Sequence, residues 1–99
     1  MSREVLAKVA ARRGQFESAR ALAAEALAIA DGMDAPLSQG DACLDVAEVL
    51  WLVGDHSGAI RHAERAASFY QRKGATVPRD RALRFVETVA SDRGGAPAT

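Results

Sequence analysis

Cysteine is nearly missing from this chain. Cys43 stands alone, which excludes an internal disulfide and makes a reducing, cytoplasmic setting the simpler expectation. Net charge is missing as well. Thirteen basic residues balance thirteen acidic ones, so no global field draws the chain to nucleic acid or to an anionic membrane. Long apolar runs are absent too. The most apolar stretch, from Val46 to Val53, is far too short to span a bilayer and contains Glu48. The opening Met1-Ser2-Arg3-Glu4 lacks the apolar core of a signal peptide. No stretch alternates polar and apolar residues over the length of a strand, and proline and aromatics are sparse.

Alanine is abundant. It is the strongest helix former and lets helices approach closely, so the composition favours an all-α domain. Ninety-nine residues suit one compact domain. A chain of this size buries about 60–65% of the surface its unfolded form exposes, leaving little apolar material to line a deep cavity.

The chain also repeats itself. Gly14, Gly54 and Gly94 are evenly spaced, and a forty-residue shift aligns Ala7 with Ala47, Val9 with Val49, Ala19 with Ala59, and Ala23 with Ala63. Such self-similarity marks a repeated structural unit. Apolar periodicity and stop signals predict five helices, near 2–13, 15–31, 37–53, 55–73 and 78–92. Ser2 is the expected cap of the first, Gly14 its end, and Gly32 a left-handed stop for the second. Pro36 suits a first helical turn, and Ser38 with Asp41 is a candidate capping box. Asp55 is the expected cap of the fourth helix, Gly74 its stop, and Pro78 the opening of the fifth. Residues 94–99 read as a disordered tail.

Leu6-Ala7, Gly14, Phe16, Ala19, Ala23 and Ala26 together resemble the tetratricopeptide pattern. Val46-Ala47, Gly54, His56, Ala59, Ala63 and Ala66 match it again. The small residues let two helices of a hairpin approach, and glycine permits the turn between them. The resemblance implies a right-handed α-α superhelix of two hairpins, about 2–40 and 41–77, closed by a capping helix at 78–93. The period exceeds the usual tetratricopeptide length of about 34, and His56 occupies an aromatic position. Leu44 to Leu50 and Tyr70 to Gly74 are also similar to stretches of the C-terminal helical arrays of actinobacterial signalling proteins. That likeness implies a regulatory or oligomerisation tail of a larger signalling protein or transcriptional regulator as the alternative to a stand-alone adaptor.

In tetratricopeptide arrays the first helix of each hairpin lines a concave groove that binds a protein or peptide. Carried over, this puts Glu4, Lys8, Ala11 and Arg12 in the groove from the first unit. The second contributes Asp41, Leu44, Glu48, Trp51 and Leu52, and the last helix Arg81, Arg84 and Thr88. Trp51 and Leu44 are the expected apolar anchors, with Glu48 beside them and Arg81 and Arg84 as partners for carboxylates. The plainer alternative packs Trp51 on the last helix and leaves the arginines solvated.

Cys43, His56 and His62 are the only soft metal-ligand candidates, and they lack the short paired spacing of zinc sites. No motif accompanies Cys43 as a nucleophile with His56 as its base, and no glycine loop follows a strand to hold phosphate. A non-catalytic protein without metal or cofactor is expected. The arginines are interrupted by Glu17, Asp80 and Glu87, so nucleic acid is not an expected partner. The second helix is apolar around nearly its whole circumference from Ala19 to Ala30. With Val5, Leu22 and Ile29 it suggests a homodimer, or docking onto preceding repeats of a longer chain; the competing reading is a monomer whose alanines stay wet.

Overall fold

The computed structural model describes residues 3–95 and contains five helices: α1 Arg3–Arg12, α2 Phe16–Asp31, α3 Pro36–Leu52, α4 His56–Arg72 and α5 Thr76–Gly95. Among the described residues all regular structure is helical. Neighbours in sequence are neighbours in space, and α1 also packs on α3. The molecule measures 43 × 28 × 17 Å, a slab about two helices thick.

Three of the four connections use one device. Gly14, Gly54 and Gly74 have φ of 79°, 90° and 71°, where a β-carbon would be strained. The next residue then bonds back five positions: Gln15 N–H to Ala10 O at 2.8 Å, Asp55 N–H to Leu50 O at 2.8 Å, and Ala75 N–H to Tyr70 O at 2.9 Å. These are Schellman closures, which satisfy carbonyls the helix leaves open.

The second connection differs from expectation. Gly32 has φ −82° and is not left-handed. Its N–H bonds to Ile29 O at 3.2 Å and that of Met33 to Ala30 O at 3.0 Å, tightening the last turn of α2. The chain then leaves through Ala35, extended at φ −147° as a residue before proline must be, and Pro36 begins α3. The Ser38–Asp41 capping box does not form, because the cap position falls on Ala35 without a side-chain bond. Asp55 does cap α4, its Oδ1 accepting from Gly58 N–H at 3.0 Å.

Gly94 lies within α5, so the third of the evenly spaced glycines ends no helix, and residues 94 and 95 are helical where a tail was expected. The division at 40/41 falls inside α3. Ser2 and residues 96–99 lie outside the described residues, as does the side chain of Glu4.

Two cores result. One joins α1, α2 and α3 through small side chains such as Ala7, Ala19, Ala23 and Ala26, with Val46 and Val49 the largest fully buried members. The other joins α3, α4 and α5 and contains Cys43, Leu44, Phe69 and Tyr70. No helix among the described residues is long and apolar enough to cross a membrane.

Candidate functional site

Helices α1, α3 and α5 run in the same direction along one face. Contacts advance together: Lys8 of α1 meets Asp45 and Glu48 of α3, and Arg12 reaches the level of Trp51. From α5, Arg81 stands beside Leu44, Phe85 meets Trp51, and Asp92 reaches Trp51 and His56. On α3 the exposed or half-buried residues Asp41, Asp45, Glu48 and Leu52 recur at helical spacing and form the floor of this face.

Three hollows lie along that floor. The first, about 240 Å³, is lined by Ile29 of α2, Met33 of the connection that follows it, and Asp41 and Asp45 of α3. The second, about 270 Å³, shares both aspartates and adds Leu44, Glu48, Tyr70 and Arg81. The third, about 260 Å³, shares Glu48 and adds Arg12, Trp51, Leu52 and Phe85. Because adjoining hollows share lining residues, they form one furrow along α3.

The floor is electrostatically knitted. Lys8 Nζ lies 2.8 Å from both Asp45 Oδ1 and Glu48 Oε2. Partial burial pushes the Lys8 ammonium down, but its hydrogen bonds and the two negative charges outweigh this and hold it above its ordinary value. The Tyr70 hydroxyl donates to Asp41 Oδ1 at 2.5 Å; burial first, then that bond, push the phenol well up. Arg12 and Arg81 make no ion pair among the described residues.

At the far end Trp51 sits edge-on to Phe85, ring centroids 5.5 Å apart. Its Nε1–H donates to Asp92 Oδ2 at 3.2 Å, and His56 Nε2 lies 3.0 Å from the same oxygen. His56 Nδ1 is 3.2 Å from Gly54 O, so both ring nitrogens face oxygen atoms. The bond to His56, then that to Trp51, hold the Asp92 carboxyl below its ordinary value.

The structure thus brings Glu48, Trp51 and Arg81 onto one furrow, while Arg84 is exposed and lines none of the hollows. Leu44 is 9% exposed and packed in the second core, and only its edge reaches the second hollow. Ala11 is likewise buried. Trp51 packs on α5 and also borders the furrow. Of the residues proposed for self-association, Val5 and Ile29 are each 45% exposed, whereas Leu22 is half-buried against the first core.

Asp45, Tyr70, Phe85 and Asp92 also border this face, beyond the residues expected from the sequence pattern. Asp45, four positions after Asp41, was legible as the next step of the stripe; the others act across helices, and no local signal marks them. Cys43 is buried, and burial pushes its thiol up. His62 is half-buried, its Nδ1 without a hydrogen-bond partner. Among the described residues no cluster of three or more His, Cys, Asp or Glu is placed to hold a metal ion. Compared with known proteins, the chain matches no protein-family model, no curated protein and no solved structure.

Proposed function

We propose that the chain is a non-catalytic scaffold of the tetratricopeptide-like class that holds a protein segment along the α1–α3–α5 face. The observation that carries this reading is the row of hollows along α3, flanked by α2 at one end, by α4 and α5 in the middle and by α1 and α5 at the other, and floored by polar and aromatic side chains. The repeated Schellman turns and the alanine-lined hairpin interfaces support it, since both belong to an array of helical hairpins. Within the furrow the anchors are the exposed side of Trp51, Leu52 and Phe85, with Glu48 and Arg81 as polar contacts.

The test is affinity capture from the native host with the whole chain, Leu52→Asp, and Arg61→Glu on the opposite layer as a control. A protein retained by the parent and by Arg61→Glu but lost by Leu52→Asp supports the furrow. Equal retention by all three, each folded, removes it. Once a partner is in hand, Trp51→Ala is expected to weaken binding by about 2 kcal/mol.

A second reading has its own observation. Six large apolar residues between Val5 and Leu37, four of them on α1 and α2, are at least two-fifths exposed. This favours a cover on the first hairpin, either a second copy or another part of a larger regulatory protein. Concentration-dependent sedimentation that Ile29→Glu abolishes would support the second copy.

A further inference from the structure

The furrow changes sign along its length. At the Ile29–Met33 end the ionic groups lining the hollow, among the described residues, are Asp41, which has no cationic partner there, and Asp45, which shares Lys8 with Glu48 at 2.8 Å. At the Trp51–Phe85 end the hollow is lined by Arg12, which has no ion-pair partner among the described residues, and its one carboxylate, Glu48, is already held by Lys8 at 2.8 Å. Between them Arg81 faces the carboxylate row. One end is acidic and apolar; the other is basic and aromatic.

The two apolar ends lie beside residues 41–42 and 51 of α3. At a rise of about 1.5 Å per residue they are roughly 14 Å apart, some two and a half helical turns. An extended segment crossing that distance would set unpaired backbone groups against Ile29, Met33, Trp51 and Phe85. The walls offer it no sheet edge, because their own backbone bonds are spent inside helices. A helix satisfies its own backbone and presents only side chains.

We infer that the furrow takes an amphipathic helix of a partner protein, with two apolar anchors about two and a half turns apart, a Lys or Arg beside the anchor at the Asp41 end and an Asp or Glu beside the anchor at the Arg12 end. This rests on the furrow being the binding face and adds the chemistry of what fills it. Asp41 spends Oδ1 on Tyr70 and retains Oδ2 for the partner cation.

The test uses three synthetic peptides held helical by the same outer-face cross-link, each with two leucines at that separation. One carries Lys beside the first leucine and Glu beside the second, one carries Lys at both, and one Glu at both. Trp51, the only tryptophan, reports binding to the whole chain. The mixed peptide is expected to bind about two- to fivefold tighter than either other at low salt, the range of an exposed ion pair, with the difference fading in high salt. Asp41→Asn keeps an acceptor for Tyr70 and should erase the advantage over the all-Glu peptide. Arg12→Gln should erase the advantage over the all-Lys peptide. Equal binding of all three, or a preference for a uniformly charged peptide, overturns the inference and leaves the furrow as a binding face. No binding by any of them at millimolar concentration, with the protein folded, removes both.

Discussion

A β-carbon on Gly40 would stand 2.8 Å from Cε1 of Tyr70, so this glycine is what allows α3 to lie against that ring. The ring is 2% exposed and its hydroxyl is tied to Asp41, one residue along α3 from Gly40. Packing and hydrogen bonding therefore fix the same side chain, at the junction between the second core and the middle of the furrow.

Gly40→Ala is expected to destabilise the fold. Alanine gains about 1 kcal/mol in helix propensity, but overpacking a closed core costs roughly 1–3 kcal/mol, and the ring cannot swing aside without giving up Asp41. The net loss is about 1 kcal/mol, a fall of about 4–8 °C in Tm for a domain of this size. A higher melting temperature would mean that the ring gives way and propensity wins. Tyr70→Phe keeps the ring and loses only the hydroxyl. It should cost about 1 kcal/mol, because the freed Asp41 carboxylate is exposed enough to regain water.

Lys8 joins α1 to α3 by touching two carboxylates at once. Lys8→Gln leaves Asp45 and Glu48 facing each other without their cation. The two acids are 34% and 40% exposed, so solvent screening limits the loss to about 1 kcal/mol. Lys8→Met keeps the stem and should behave like Lys8→Gln if charge is the cause. Denaturant midpoints in low and high salt check this: the gap between parent and variant should narrow as salt rises. A gap independent of salt would assign the role of Lys8 to packing.

Much of the helical layout was legible because its signals are local. Gly14, Gly54 and Gly74 each follow an amphipathic helix, and Pro36 and Pro78 sit where a first turn tolerates them. Gly32 and Gly94 show the limit of such signals. A glycine permits the left-handed conformation without requiring it, and Pro36 draws the chain after Gly32 into an extended path instead. Groove residues were harder. Helical spacing alone puts Leu44 on the outer stripe of α3, but α4 and α5 cover it, and only their packing could reveal that. Trp51 and Asp92 are 41 residues apart, and no periodicity connects them.

His62 makes the acid limb of stability specific. Burial first, then the positive charges of Arg61 and Arg65, hold its imidazole below the ordinary 6.5, and Nδ1 lacks a partner. The folded state thus binds fewer protons than the unfolded state between the two values, and stability rises with pH there. Its contribution is present above about pH 6.5 and is lost as the pH falls from that value through the folded one. Asp92 acts in a lower window: its depressed carboxyl stabilises above 3.8 and ceases to do so as the pH drops through its folded value. Urea midpoints measured from pH 7.5 to 5 should decline in the parent, and His62→Gln should flatten the slope. An unchanged slope would assign the decline to other groups.

Asp55 and Gly58 give the sharpest expectation, because the sign of one substitution should depend on the other residue. A β-carbon at Gly58 would lie 2.5 Å from Asp55 Oδ2 and 2.9 Å from its Cγ, and its three nearest atoms all belong to that side chain. The capping bond from Gly58 N–H to Asp55 Oδ1 draws the carboxylate into that space. Asp55→Ala removes the cap and should cost about 1 kcal/mol. Gly58→Ala in the parent pushes the carboxylate out of capping position, and the lost cap offsets or exceeds the propensity gained. With Asp55 already replaced by alanine the obstruction is gone, and Gly58→Ala should stabilise α4 by up to about 1 kcal/mol. A double-mutant cycle on thermal unfolding measures the coupling directly. Additive effects would mean that the carboxylate reorients freely around a new methyl group, and that the close approach of cap and glycine is incidental to the stability of α4.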